Sequence, residues 1–216
     1  MTALDDIGRQ TAELGLRILG LAQVRAADGL PDRIRSLVLL GPDEPRFWSV
    51  FRTSDEAQDG LPDPLDRWSR RVIGAIACDQ GGKAYFPFGG PPWRPFLDWA
   101  LRSGRCWSSP VGLLVHEETG LFVSFRGAIG IEEEYPAEQG SRPCDTCEDR
   151  PCLGACPAGA LGADGYDVPA CKAWLDSAPG AVCLTGGCLV RRSCPVGAGK
   201  RPAAQSAFHM EAFKGP

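Results

Sequence analysis

Cys144-Asp-Thr-Cys147-Glu-Asp-Arg-Pro-Cys152-Leu-Gly-Ala-Cys156-Pro157 is the stretch that decides how this chain is read. It has a counterpart farther on, Cys183-Leu-Thr-Gly-Gly-Cys188-Leu-Val-Arg-Arg-Ser-Cys194-Pro195. Both runs end in Cys-Pro, Cys171 stands between them, and eight of the ten cysteines therefore fall within one short segment. Closely spaced thiolates of this kind suit iron-sulfur cubes. Three sulfurs of a run reach one cube, and the cysteine before proline turns away to serve a second. The chain is expected to move electrons.

The spacing resembles that of a two-cluster ferredoxin, and the resemblance implies crosswise ligation. Cys144, Cys147, Cys152 and Cys194 would hold one [4Fe-4S] cluster, and Cys156, Cys171, Cys183 and Cys188 the other. Each run carries extra residues relative to the usual spacing, Glu148 to Pro151 in the first and Leu184 to Gly187 in the second, and both insertions are expected in loops. Two tetrahedral zinc sites of four cysteines each are the main competing assignment, although zinc gives no reason for both runs to end in Cys-Pro or for Cys171 to stand apart. A disulfide framework is the third. The runs form a weak internal duplication, with small residues after each Cys-Pro (Ala158-Gly159-Ala160 and Val196-Gly197-Ala198) that let backbone amides approach the sulfurs. Of the two remaining cysteines, Cys78 ends an apolar helical stretch and Cys106 opens a loop that could line a pocket; both are expected to be buried thiols.

Outward from the cysteines, the preceding residues read as an α+β body. Leu4, Ile7, Leu14, Ile18 and Leu21 share one helical face, and Thr2 with Asp5 forms a capping pattern, which predicts a helix over residues 2–21. Leu37-Val-Leu-Leu40 before Gly41-Pro42 predicts a strand buried on both faces. After Pro62-Asp-Pro64, the stripe Leu65, Trp68, Val72, Ile73, Ile76 predicts a second helix that ends near Cys78. Lys83 to Arg94 mixes Tyr85, Phe86, Phe88 and Trp93 with prolines and glycines and predicts a stiff aromatic loop. Phe96 to Leu101 fits a short helix. Val111 to His116 and Leu121 to Phe125 predict a hairpin across Glu117 to Gly120, its second strand running on through Ile129. The polar loop Glu132 to Pro143 is the expected boundary, giving a body of residues 1–135 and a cysteine module of residues 136–216.

Composition removes several function classes. Lys and Arg number 23 against 27 Asp and Glu, a formal charge of -4, which offers no basic field for a nucleic acid or an anionic membrane. No apolar run approaches the roughly 20 residues of a membrane-spanning helix, and the acidic Met1-Thr-Ala-Leu-Asp-Asp6 start lacks the features of a secretory leader, so a reducing cytoplasm is expected. With only His116 and His209, histidine-based catalysis has little support, and no catalytic residue is assigned. Arg191-Arg192 and Lys200-Arg201 beside the second run read as a solvated basic face.

The order of features resembles the corrinoid-dependent reductases that carry a ferredoxin module, epoxyqueuosine reductase and reductive dehalogenase. Asp63 to Asp66 through Arg94-Pro95, Trp107-Ser-Ser-Pro110 and Gly120 to Gly127 resemble cobalamin-trafficking proteins of the CblC type. These families share a nitroreductase-like α+β body that holds a corrinoid. The resemblance therefore implies a cobalamin bordered by Tyr85, Phe86, Phe88, Trp93, Cys106, Trp107, Ser108 and Ser109, fed with electrons by two [4Fe-4S] clusters. Epoxyqueuosine reductase places a catalytic acid before an Arg-Pro pair; here Phe86-Pro-Phe-Gly-Gly90 precedes Arg94-Pro95, and the sequence ends soon after its last cysteine. The implied function is an iron-sulfur oxidoreductase that takes electrons from a redox partner protein and reduces or processes a corrinoid. Two alternatives stay open: an FMN in place of the corrinoid, and a ferredoxin-like carrier that docks a partner enzyme and binds no organic cofactor.

Overall fold

The computed structural model describes residues 2–215 and has an α+β fold. In chain order its elements are α1 (Ala3–Glu13), β1 (Leu16–Gln23), β2 (Ser36–Pro42), α2 (Arg46–Arg52), α3 (Asp55–Gln58), α4 (Pro64–Asp79), β3 (Lys83–Tyr85), α5 (Phe96–Arg102), β4 (Cys106–Ser108), β5 (Leu114–His116), β6 (Gly127–Ile131), β7 (Leu161–Gly162), β8 (Gly165–Tyr166), α6 (Val168–Asp176), α7 (Ala181–Gly186), α8 (Leu189–Arg192) and α9 (Ala203–Lys214). No helix among the described residues is long and apolar enough to cross a membrane.

The chain forms two compact units, Met1–Arg105 with Ser124–Gly140, and Cys106–Val123 with Ser141–Pro216. The boundary after Gly140 falls in the polar loop. Residues Cys106–Val123, which a simple body of residues 1–135 would include, group instead with the cysteine runs.

In the first unit an antiparallel sheet has the order β1-β2-β6-β3. Every residue of β2 is buried, as expected for an interior strand covered on both faces. The α4 stripe Leu65, Trp68, Val72, Ile73 and Ile76 is buried throughout, and Trp68 meets Phe47 and Phe51 of α2 edge-on at ring-centroid distances of 5.6 and 6.0 Å. A polar knot anchors the strap after β1. The Asp28 carboxylate accepts from the Arg25 backbone N–H (2.7 Å), Trp99 Nε1 (2.9 Å) and Arg102 Nη2 (2.6 Å). Burial pushes its pKa up, but these three bonds outweigh that and hold it below the usual aspartate value.

Three expectations change. The helix over residues 2–21 stops at Glu13, because Gly15 adopts φ +66° and Leu16 onward pairs with β2; the Thr2–Asp5 capping box is present. The predicted hairpin is not formed as such. Strand β5 pairs backwards with β4, joining Cys106 to His116 and Ser108 to Leu114, and only an isolated bridge links His116 to Gly120. Gly127–Ile131 belongs to the sheet of the first unit instead, and there it also pairs with β3, which turns the start of the aromatic loop into a strand.

Candidate metal centres

In the second unit, the segment from β4 to Val123 supplies an apolar floor beneath the cysteine runs. Val111, Val115 and Leu121 form one buried cluster with Cys152, Leu161, Val190 and Cys194. Leu121 follows a tight turn at Gly120, whose φ is +57°. His116, fully buried, fixes that turn: its Nδ1 accepts from the backbone N–H of Glu118 (3.0 Å) and Thr119 (3.3 Å). A Cβ at residue 120 would overlap the Val196 carbonyl oxygen and stand 2.9 Å from Cys194 Sγ, so the turn can lie against Cys194-Pro-Val196 only with glycine there.

Among the described residues of this unit, the cysteines line two cavities. The first is lined by Cys144, Cys147, Cys152 and Cys194, together with Ser109, Val115, Leu121, Arg150 and several prolines; its free space, mouth included, is about 390 Å³. The second is lined by Cys156, Cys171, Cys183 and Cys188, with Leu161, Trp174, Leu175, Val190 and Met210, and has about 330 Å³. Three cysteines of the first run thus share a cavity with Cys194 of the second run, while Cys156 turns away to join Cys171, Cys183 and Cys188. The cysteine before each proline lies in a different cavity from the nearest cysteines of its own run. In each Cys-Pro-x-Gly turn the glycine is left-handed, with φ +62° at Gly159 and +73° at Gly197, so the duplication seen in the residues extends to the backbone. Among the described residues no group of three or more His, Cys, Asp or Glu could hold a metal ion as the side chains are placed. Each set of four surrounds a cavity rather than a point.

Burial pushes the Cys144, Cys152 and Cys171 thiols up. At Cys144 the nearby Arg142 opposes this, and at Cys171 a hydrogen bond from the Tyr166 phenol does. The same bond, after burial, raises the Tyr166 pKa. Such thiols stay protonated at neutral pH until a metal displaces the proton.

The insertions differ from one another. Glu148–Pro151 is irregular and leads into a short 3-10 turn at Pro151–Leu153, whereas Leu184 to Gly186 lies within α7 rather than in a loop. Arg191 is not part of a solvated face. It is partly buried, donates to the Leu121 carbonyl, and its pKa is drawn down by burial against the opposing pull of Cys188 and Tyr166. Trp174 at the second cavity carries no spacing signal and is legible only in the folded chain.

The residues expected around an organic cofactor divide between the units. Tyr85, Phe86, Phe88 and Trp93 belong to the first, and Cys106, Trp107, Ser108 and Ser109 to the second. Tyr85 is buried edge-on to Trp99 with Arg94 over its ring. Phe86 and Phe88 pair at 5.2 Å; the Arg70 guanidinium lies over both, and that of Arg126, bonded to Asp66 and Ser69, lies over Phe88. Trp93 is 66% exposed. In the second unit Cys106 is buried in β4, Trp107 packs on the apolar cluster, Ser108 is exposed and accepts Arg142 Nη2 at its carbonyl (2.9 Å), and Ser109 lines the first cysteine cavity. Cys78, expected buried, is exposed at the end of α4, on the face away from the apolar stripe. No protein-family model and no curated protein matches the chain.

Proposed function

We propose that the chain is an iron-sulfur oxidoreductase that carries electrons through two [4Fe-4S] clusters. The observation that carries the proposal is the sorting of eight cysteines into two cavities of four, each drawing on more than one part of the cysteine segment. Cys144, Cys147, Cys152 and Cys194 would hold one cluster, and Cys156, Cys171, Cys183 and Cys188 the other. When bound, each cluster supplies a one-electron couple whose potential follows its charge, its burial and the hydrogen bonds to its sulfurs. The chain's own residues do the rest. Val115, Leu121, Leu161 and Val190 keep the cavities apolar, and the Gly120 turn backs Cys194. A ferredoxin-like second unit and a nitroreductase-like first unit belong to the same proposal, as do a cytoplasmic setting and a redox partner protein as electron donor.

The acceptor is the second part of the proposal. Resemblance to the corrinoid-dependent reductases makes cobalamin the first candidate and FMN its variant. One observation favours a different acceptor, a partner enzyme with no organic cofactor on this chain: arginine guanidinium groups already cover the ring faces of Tyr85, Phe86 and Phe88. Incubation of the reconstituted protein with cobalamin and with FMN, followed by gel filtration, separates the two. Co-elution of cobalamin supports the corrinoid acceptor. Elution of the protein free of both pigments replaces it with the docking partner.

A further inference from the structure

Among the described residues, each cysteine cavity carries one buried hydrogen-bond donor without an acceptor. In the first it is Ser109 Oγ, on a residue only 6% exposed. In the second it is Trp174 Nε1. A buried donor with no partner costs about 1–3 kcal/mol, and a serine hydroxyl ordinarily avoids that cost by bonding a nearby backbone group. Ser109 does not. Its backbone N–H donates to the Leu113 carbonyl (2.8 Å), its own carbonyl accepts from Gly112 (3.0 Å), and the hydroxyl is left over. An indole N–H is a donor only, so Trp174 Nε1 has a single way to be satisfied. Trp174 also stands three residues after Cys171 within α6, and side chains at that spacing share a helix face. Beyond the cysteines and these two donors, the side chains lining the cavities are prolines, aliphatic groups, Arg150 and Met210, so sulfur dominates the acceptors on offer.

We propose that the Ser109 hydroxyl and the Trp174 indole N–H donate to sulfur in the first and second cavities, and that each raises the reduction potential of the cluster beside it. The inference rests on the two-cluster proposal and goes beyond it. It assigns Ser109 to the cysteine cavity rather than to the border of an organic cofactor. A donor to sulfur stabilises the more negative, one-electron-reduced cluster over the oxidised one, so its removal makes reduction harder.

The test uses anaerobically reconstituted full-length wild type, Ser109→Ala, Ser109→Thr and Trp174→Phe, with iron and sulfide counted before a mediated potentiometric titration followed by EPR. The signal of the first cluster is assigned from Cys156→Ala protein. Ser109→Ala should make reduction of the first cluster about tenfold less favourable, about 59 mV for a one-electron couple, and leave the second unchanged. Ser109→Thr keeps the hydroxyl and should keep the potential. Trp174→Phe should lower the second potential alone. Without clusters Ser109→Ala should unfold no more easily than wild type, since the hydroxyl has no protein partner to lose. Ser109→Ala removes one oxygen and no packing carbon, so it carries the test if Trp174→Phe does not fold. Fully loaded Ser109→Ala with wild-type potentials, as expected if water holds the hydroxyl, overturns the inference and leaves the two-cluster proposal standing. Wild type that takes up no iron overturns the proposal beneath it.

Discussion

Gly120→Ala is the substitution that best separates packing at the first cysteine cavity from backbone preference. Residue 120 has φ +57°, and an alanine in the left-handed region costs about 1–2 kcal/mol. Its Cβ would also overlap the Val196 carbonyl oxygen and press Cys194 Sγ at 2.9 Å. The first obstacle is backbone, so the turn or the Cys194-Pro-Val196 segment must move, at a further cost of about 1–3 kcal/mol typical of an overpacked interior. The total is about 2–5 kcal/mol. Gly112 is the control: it lies in the same segment at φ +73° with nothing within 4 Å of where a Cβ would stand, so Gly112→Ala meets the backbone cost alone. Urea unfolding of both variants, with iron counted after anaerobic reconstitution, gives the comparison. Gly112→Ala should load about eight irons and lose about 1–2 kcal/mol. Gly120→Ala should lose more, and its iron should fall to about four, the first cluster being displaced with Cys194. Equal stability and equal iron in the two variants would refute the close approach of the Gly120 turn to Cys194.

Other substitutions test other parts of the molecule. Cys156→Ala should remove the second cluster and keep the first, leaving about half the iron; loss of both together would show that neither forms alone. Asp28→Ala leaves the 9%-exposed Arg102 guanidinium with Asp98 as its ion-pair partner beside the Gln23 carbonyl and strips Trp99 Nε1 of its acceptor, and should cost about 3 kcal/mol in urea unfolding. At Glu56, two bonds from Arg71 (2.5 and 2.9 Å) hold the carboxylate pKa down to about 2 from 4.5. A depressed acid stabilises above its unfolded value, so this contribution is complete above about pH 4.5 and fades as pH falls towards about 2. The displacement converts to at most about 3 kcal/mol, which the 58% exposure of the Arg71 side chain reduces to about 1–2 kcal/mol. Glu56→Gln should lower stability at neutral pH by that amount and converge with wild type in acid.

The residues that announced their structure did so through period or spacing. The α4 stripe fixes a helix because every third or fourth position is apolar, and Leu37 to Leu40 fixes an interior strand because four successive apolar residues leave no solvent face. The grouping of the cysteines is legible for the same reason: closely spaced residues cannot scatter far, and a Cys-Pro turn redirects its sulfur. Where two patterns overlapped, the chain's long-range pairing decided. Leu14, Ile18 and Leu21 fit a helical face, yet Gly15 breaks the helix and β2 recruits the segment as a strand. Val111–His116 had an apolar run on its C-terminal side to pair with, and took Cys106–Ser108 on its N-terminal side instead. Trp174 carried no spacing signal for its place at the second cavity, and Ser109 and Arg191 read differently in sequence, as a cofactor border and a basic face, because only the fold brings Ser109 to the first cavity and Arg191 to the Leu121 carbonyl.

The central claim is that eight thiolates hold two iron-sulfur clusters, and anaerobic reconstitution with iron and sulfide counts, followed by EPR of the reduced protein, tests it most directly. About eight irons and about eight sulfides per chain, with a spectrum of two interacting one-electron centres, is the predicted result. Protein that takes up stoichiometric zinc and no iron would contradict it.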